Sequence, residues 1–292
     1  MTTVLKAFRF SILLLVLAPL SVEAQRDPPI QRITLESKLL GKAIDYSILY
    51  PINYHRAGNA EKKFPVVYLL HGFTGHHTNW IERTRVALYA THYDLFIVMV
   101  EGENGWYTDS ATVPNDKFES YILQELMPDV EKRFRVNAER DGRAIAGLSM
   151  GGYGALKFGF KYPGRFGMVA SMSGALGAAS WTDSDLKNLE AIRQSLLKTL
   201  GPRGSSTRLQ NDLLKLTREV SADGIKLLPV IYLDCGTEDR LFPTNRSYAD
   251  LLVERKIPHE FRQLPGNHSW PYWDQQVREI LSLAATRLSP PK

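Results

Sequence analysis

Short runs of apolar residues alternate along the chain with longer segments in which apolar residues recur every three or four positions. The short runs predict buried strands at residues 64–70, 95–100, 143–146, 166–172, 228–233 and 260–264. The longer segments predict helices at residues 80–90, 117–133, 153–162, 248–254 and 273–288. This alternation predicts an α/β fold, in which a mainly parallel sheet is covered by helices on both faces.

Two segments depart from this alternation. Residues 33–40 and 43–50 flank Gly41 and predict two strands that pair as an antiparallel hairpin at the start of the fold. Residues 174–226 carry a helical pattern between two predicted strands and are too long for an ordinary connection. We interpret this segment as a helical insertion, which either forms a small cap over the site or packs against the domain.

The first 24 residues differ in kind from the rest. Lys6 and Arg9 precede an apolar run at 10–20, and small residues follow as far as Ala24. This order is typical of a secretory signal peptide cleaved after Ala24. A membrane anchor is the alternative, but the run is shorter than the roughly 20 apolar residues that a spanning helix needs. We therefore expect a single domain at 25–292, secreted or periplasmic, without a membrane span.

Composition and charge narrow the function classes. The formal net charge is +5, and the 36 Lys and Arg are scattered among 31 Asp and Glu. Because no basic run resembles a nucleic-acid footprint, we expect no nucleic-acid partner. The single cysteine, Cys235, excludes an internal disulfide and lies in an apolar segment, which indicates a buried thiol.

A candidate nucleophile lies in the motif Gly147-Leu148-Ser149-Met150-Gly151, which matches G-x-S-x-G. The motif follows a predicted strand and precedes a predicted helix, the context that a nucleophile elbow requires. Side chains at 147 or 151 would collide with the neighbouring strand and helix, so both positions need glycine. The alternative is a Gly/Ser-rich turn with no chemical role.

A serine nucleophile needs hydrogen-bond donors for the oxyanion that forms on the substrate carbonyl. One donor is expected from the N–H of Met150, directly after the nucleophile, and the other from the loop after an earlier strand. Residues 71–75 form that loop, and we assign the second donor to the N–H of Phe73. His71 and the neighbouring histidines at 76–77 suggest a metal site, but no Cys or carboxylate cluster accompanies them at ligand spacing. We predict no metal and no cofactor.

The general base and its acid partner are expected after the nucleophile, in the order acid and then histidine. Two histidines follow it, and His259 begins a predicted strand, whereas His268 lies in a loop before the last helix. Loops at the carboxyl ends of strands carry catalytic groups in α/β sheets, so His268 is the predicted base. Among Asp234, Glu238 and Asp239, the last leaves room for a turn that aims its carboxylate at the imidazole, and Glu238 is the next choice.

At these motifs the chain resembles the esterase D branch of the α/β-hydrolases. That branch includes S-formylglutathione hydrolases, tributyrin and feruloyl esterases and the antigen 85 mycolyltransferases. The resemblance extends over about 33–288 and is carried by residues 70–75, 104–110, 147–155, 234–239 and 268–273. It implies an α/β-hydrolase fold.

The resemblance also implies roles for particular residues. Ser149, Asp239 and His268 would form the catalytic triad, with the N–H groups of Phe73 and Met150 in the oxyanion hole. Two aromatic residues, Trp106 and Tyr107, would bind substrate near the acyl pocket; the alternative is that they pack a surface loop.

We therefore expect an exported serine esterase that hydrolyses carboxylic esters through an acyl-enzyme, on a small-molecule or polysaccharide-linked substrate. Acyl transfer of the mycolyltransferase type and S-formylglutathione-type thioester hydrolysis are the alternatives, although the latter reaction belongs in the cytosol. A peptidase would share the triad, and a non-catalytic binding protein would have a broken one. The three residues stand in the expected order, which favours an enzyme.

Overall fold

The computed structural model describes residues 30–288; the predicted signal peptide at 1–24 lies outside them. Within the described residues, eight strands form one sheet in the order β1-β2-β4-β3-β5-β6-β7-β8. The strands are β1 (Ile30–Ser37), β2 (Lys42–Leu49), β3 (Val66–Leu70), β4 (Phe96–Val100), β5 (Arg143–Leu148), β6 (Met168–Met172), β7 (Val230–Gly236) and β8 (Glu260–Leu264).

The first two strands run differently from the rest. β1 pairs antiparallel with β2 and β2 antiparallel with β4, whereas the strands from β3 to β8 pair in parallel. Gly41 has a φ of +66° in the turn between β1 and β2, a conformation that glycine adopts without strain. The predicted mainly parallel sheet with an antiparallel opening pair is confirmed.

Helices surround this sheet and connect its strands. They are α1 (Asn79–Arg83), α2 (Val86–Ala90), α3 (Phe118–Tyr121), α4 (Met127–Arg133), α5 (Met150–Lys161), α6 (Glu190–Leu200), α7 (Ser206–Gln210), α8 (Leu213–Glu219), α9 (Ala222–Leu227), α10 (Phe242–Glu254) and α11 (Trp270–Arg287). A π-helical turn, Ile122–Leu126, joins α3 to α4, so the helix predicted at 117–133 is one helical segment. In the part of the chain described, no helix is long and apolar enough to cross a membrane.

The prediction of one helix at 80–90 is wrong in one respect, because the structure has two helices there, α1 and α2. Thr84 lies between them in an extended conformation, with φ −137° and ψ 170°. Its hydroxyl donates to the carbonyl oxygen of Trp80, and the Asp274 carboxylate accepts the N–H of Arg85 at 2.7 Å. These side chains replace helical hydrogen bonds and separate the two helices.

The core has two layers, one on each face of the sheet. In β3, Val66, Tyr68 and Leu70 pack into one layer, which includes residues of α5, α8 and α10. The alternate residues Val67 and Leu69 pack into the other, which includes residues of α2 and α11. Since both faces of the strand are buried, its sequence is a continuous apolar run.

Candidate active site

Two neighbouring strands end at the same edge of the sheet. Leu70 at the end of β3 pairs with Gly147 in β5, so the loop that begins at His71 lies beside the turn that contains Ser149. A Cβ atom at Gly147 would lie 2.5 Å from the carbonyl carbon of Gly151, and one at Gly151 would lie 2.5 Å from the carbonyl oxygen of Leu70. Glycine at these two positions therefore allows the helix and the two strands to approach each other.

Ser149 stands in the turn between β5 and α5. Its backbone has a φ of 52° and a ψ of −114°, a conformation that residues other than glycine rarely adopt. The N–H of Ser149 donates to the carbonyl oxygen of Met172 on β6 at 3.0 Å, which holds the turn in place. This strand–turn–helix arrangement is the one that the motif predicts.

His268 lies between β8 and α11 and contacts two other predicted site residues. Its Nε2 lies 3.1 Å from Oγ of Ser149, and its Nδ1 lies 2.7 Å from Oδ2 of Asp239. Trp273 packs edge-on against the imidazole, with ring centroids 4.9 Å apart. The structure thus brings the serine, the imidazole and the carboxylate into one chain of hydrogen bonds.

Asp239 is buried beside the imidazole. Burial raises the pKa of this carboxyl, but the hydrogen bond and charge of His268 outweigh burial, so its pKa lies below the ordinary value. The other oxygen, Oδ1, accepts the N–H of Leu241 at 2.8 Å. An ionised carboxylate here favours a proton on Nδ1 of His268, which leaves Nε2 free to accept the proton of Ser149.

The alternative acid and base candidates take other partners. The Glu238 carboxylate accepts the N–H of Gly266 at 2.9 Å, and the Asp234 carboxyl accepts the hydroxyl of Tyr272 at 2.9 Å. His259 contacts a backbone carbonyl two residues earlier in the chain at 2.8 Å. Glu238 and Asp234 therefore hold the segment around the imidazole, and neither reaches the ring.

The two predicted oxyanion donors lie at the ends of the same strands. Met150 is the first residue of α5, where backbone N–H groups have no helical partner. Among the described residues, neither its N–H nor that of Phe73 makes a hydrogen bond within the protein. A Cβ atom at Gly72 would lie 3.5 Å from Cβ of Ser149, so the loop backbone passes close to the serine.

Glu101, which the sequence reasoning missed, holds the loop that carries Phe73. Its Oε1 lies 3.2 Å from Nε2 of His71, and its Oε2 accepts the N–H of His77 at 3.0 Å. Burial raises the pKa of this carboxyl, but the contact with His71 and the backbone donors lower it to about 2. The available signal was an acidic residue directly after the apolar strand β4, where polar groups of an α/β site converge.

A cavity of about 750 Å³ opens above Ser149 and His268. Its walls include Phe73, Trp106, Trp181, Ile192, Trp270 and Trp273. Trp181 and Ile192 belong to the segment between β6 and β7, the predicted helical insertion, which therefore forms part of the wall. A third residue of that segment, Ser195, accepts the indole N–H of Trp106 at 3.0 Å.

Of the two aromatic residues expected near the acyl pocket, only Trp106 lines the cavity. Tyr107 is fully buried, and its hydroxyl donates to the carbonyl oxygen of His71 at 2.8 Å. Its ring packs against Gly154 of α5, where a Cβ atom would lie 2.7 Å from Cδ2 of the ring. Tyr107 therefore lies between the loop and α5 and does not line the cavity.

The histidines at 71–77 have structural partners. His77 Nδ1 lies 2.8 Å from Oγ of Ser47, and His76 Nδ1 lies 2.7 Å from Oγ of Thr78. Within residues 30–288, no group of three or more His, Cys, Asp or Glu side chains has an arrangement that could hold a metal ion.

Comparison with known structures identifies the fold. The fluorophosphonate-binding serine hydrolase FphF of Staphylococcus aureus superposes with a TM-score of 0.78 at 24% identity, covering 89% of this chain and 99% of that chain. A ferulic acid esterase superposes with a TM-score of 0.76 at 27% identity, covering 90% of this chain and 99% of that chain. The fold is the α/β-hydrolase fold, as the resemblance implied.

Comparison of sequences identifies the family. The family model "Esterase", described as "Putative esterase", matches residues 37–283, and the chain belongs to this family. An acetyl esterase of Caldicellulosiruptor saccharolyticus is 26% identical over 85% of this chain and 95% of that protein. Esterase Rv1288 of Mycobacterium tuberculosis is 29% identical over 84% of this chain, which spans 56% of that protein.

The chain is also similar to S-formylglutathione hydrolases, to part of an endo-1,4-beta-xylanase/feruloyl esterase and to a diacylglycerol acyltransferase/mycolyltransferase. The predicted resemblance is thereby confirmed. The predicted enzyme class is confirmed at the level of a hydrolase that cleaves carboxylic esters.

Proposed function

We propose that this protein is an exported serine esterase in which Ser149, His268 and Asp239 form the catalytic triad. The observation that carries the proposal is the chain of hydrogen bonds from Oγ of Ser149 through both nitrogens of His268 to the Asp239 carboxylate, at 3.1 and 2.7 Å. Ser149 and His268 line the cavity, so an ester carbonyl that enters it can reach the serine.

The reaction takes place in two steps. Nε2 of His268 accepts the proton of Ser149 as Oγ attacks the ester carbonyl, and the alcohol leaves with that proton. Water then attacks the acyl-enzyme by the same route and releases the acid. The Asp239 carboxylate orients the imidazole and stabilises its protonated form without accepting the proton.

The N–H groups of Phe73 and Met150 bind the oxyanion in both steps. Their lack of partners within the described part of the protein supports this role, because they are free to donate to substrate. Each such donor is typically worth about 10²–10³ in rate.

The substrate is a carboxylic ester of a small molecule or of a polysaccharide. The names of the relatives support this range, since they include an acetyl esterase and a feruloyl esterase. The aromatic side chains around the cavity support it further, because they suit an apolar or ring-bearing group beside the ester.

The test is hydrolysis of p-nitrophenyl esters, from acetate to decanoate, together with methyl ferulate. Ser149→Ala should lower kcat by about 10⁴-fold or more. Ser247→Ala removes an exposed hydroxyl on α10 and is the matched control, which should retain full activity. A fluorophosphonate probe should label the wild-type protein and the control, with the adduct on Ser149.

Activity that survives in Ser149→Ala would contradict the proposed triad. Addition of glycerol as an acyl acceptor separates hydrolysis from transfer. A hydrolase should release free acid as its main product, whereas an acyltransferase should form mainly the glycerol ester.

Export is the second part of the proposal. The basic residues Lys6 and Arg9, the apolar run at 10–20 and the small residue Ala24 support a cleaved signal peptide. Expression of the full chain in a bacterial host with N-terminal sequencing tests it. We expect the product outside the cytosol to begin at Gln25; retention of Met1 in the cytosolic fraction would contradict export.

A further inference from the structure

The cavity above Ser149 has an unbalanced set of charged side chains. Two arginines, Arg83 and Arg240, line it, and none of its lining residues is Asp or Glu. Arg83 is the last residue of α1, which follows the oxyanion loop, and Arg240 directly follows Asp239. Arg83 therefore lies one short helix after the proposed oxyanion loop, and Arg240 is the chain neighbour of a proposed triad residue.

Neither arginine forms an ion pair with a carboxylate among the described residues. Both are exposed, and Arg83 interacts electrostatically with the adjacent Glu82 without forming an ion pair with it. Nearby arginines behave differently: Arg85, two residues after Arg83, pairs with Asp274 at 3.2 Å. The cavity lining thus contains two positive groups that have no ion-pair partner among the described residues, together with several aromatic side chains.

From this arrangement we infer that the preferred substrate is an ester that carries an anionic group, a carboxylate or a phosphate, recognised by Arg83 and Arg240. The inference rests on the proposed function, because it names the substrate class of the same site. A guanidinium presents parallel N–H donors that match a carboxylate or phosphate in two-point contact. The two guanidinium groups would repel a cationic ester, and the cavity lining has no Asp or Glu that could offset this repulsion.

The aromatic walls strengthen this recognition. Trp181 and Trp106 meet edge to face in the wall, with ring centroids 6.2 Å apart. Walls of this kind bind the apolar part of an ester, which adds to the recognition of its anionic group. Because both arginines are exposed, the preference should weaken as salt is added.

The anionic group can belong to the acyl chain or to the alcohol, and two substrate pairs distinguish these sources. p-Nitrophenyl hydrogen adipate and p-nitrophenyl hexanoate have acyl chains of equal length and differ in a terminal carboxylate. 4-Acetoxybenzoate and 4-acetoxybenzamide share the acyl group and differ in the charge of the leaving alcohol. The values of kcat/KM are compared within each pair at low and high sodium chloride.

We expect the anionic member of at least one pair to have a kcat/KM about tenfold or more above its neutral partner. The double variant Arg83→Gln with Arg240→Gln should abolish this preference, so that the two members of each pair have equal kcat/KM. Arg246→Gln removes an exposed arginine of α10 that does not line the cavity and has no ion pair within residues 30–288, and it should keep the preference.

Equal kcat/KM values within both pairs, or a preference that survives in the double variant, would overturn the inference. In either result, hydrolysis that depends on Ser149 would leave the proposed function intact. If no ester is hydrolysed in a manner that depends on Ser149, the proposed function fails, and the inference fails with it.

Discussion

Oε1 of Glu101 lies 3.2 Å from Nε2 of His71, beneath the loop that carries the Phe73 N–H. The same oxygen accepts the N–H groups of Gly102 and Glu103, at 3.1 and 2.8 Å. One carboxylate therefore joins the ends of β3 and β4. It fixes the backbone of the proposed oxyanion loop without touching the cavity.

Replacement of Glu101 by Gln should lower kcat and leave KM nearly unchanged. In the wild type, backbone N–H groups donate to both oxygens of the carboxylate. The glutamine amide would place N–H donors opposite some of these N–H groups, and the loop would shift because donors cannot pair with donors. We expect a loss in kcat of about 10–100-fold, less than the removal of an entire oxyanion donor. Steady-state kinetics on p-nitrophenyl acetate measure the split between kcat and KM.

The matched control for this variant is Glu103→Gln, because the Glu103 side chain is exposed and pairs only with Lys42 among the described residues. It should retain wild-type kcat. A rise in KM with unchanged kcat in Glu101→Gln would show that the carboxylate serves substrate binding instead.

Gly151→Ala should destabilise the fold and slow the reaction. The added Cβ atom would lie 2.5 Å from the carbonyl oxygen of Leu70 and 2.7 Å from that of His71. Both are backbone atoms, so relief of this clash requires a movement of the oxyanion loop. We expect a loss of about 1–3 kcal/mol in the free energy of unfolding, measured by urea denaturation.

Gly164→Ala is the control for the glycine variant, since an added Cβ atom there meets nothing within 4 Å. Its stability should stay within about 0.5 kcal/mol of the wild type. Equal stability of the two variants would mean that the elbow accommodates a methyl group and that the steric explanation is wrong.

The elbow and the triad candidates could be predicted because their signals are local. Gly147, Ser149 and Gly151 all lie within five consecutive positions. The strand before them and the helix after them are predicted from the pattern of apolar residues. The expected order of acid and histidine along the chain then limits the candidates for these two roles to a few residues. Asp239 is the preferred acid among them, and its contact with His268 agrees with that preference.

Other features depend on backbone geometry that no pattern records. Trp106 and Tyr107 are adjacent and have φ values of 50° and 52°, and these unusual conformations send one ring to the cavity and the other into the core. Glu101 binds donors from two loops that meet only after the sheet forms. Trp181 reaches the cavity from a long insertion whose fold is set by packing.

Asp234→Asn should stabilise the protein at high pH. Burial raises the pKa of the Asp234 carboxyl to about 8 from an ordinary value of 3.8. Between these values the folded protein holds a proton that the unfolded chain releases, so the contribution of Asp234 to stability decreases as pH rises. Asparagine has no such proton and can still accept the hydroxyl of Tyr272.

The difference in unfolding free energy between Asp234→Asn and wild type should therefore grow by up to about 1.4 kcal/mol per pH unit from pH 4 to pH 8. Urea denaturation at a series of pH values measures this slope. Asp250→Asn, at an exposed position on α10, is the control for the replacement of an aspartate by asparagine. A difference that does not change with pH would mean that Asp234 is ionised in the folded protein.

Trp181→Ala tests whether the insertion between β6 and β7 selects substrates or only packs against the domain. The indole of Trp181 forms part of the cavity wall and meets Trp106 edge to face. Its removal should enlarge the cavity and raise the ratio of kcat/KM for decanoate over acetate by about tenfold. Leu197→Ala, in α6 of the same insertion, removes an exposed side chain outside the cavity and should keep the wild-type profile. An unchanged chain-length profile in Trp181→Ala, with Tm near that of the wild type, would assign the insertion to packing alone.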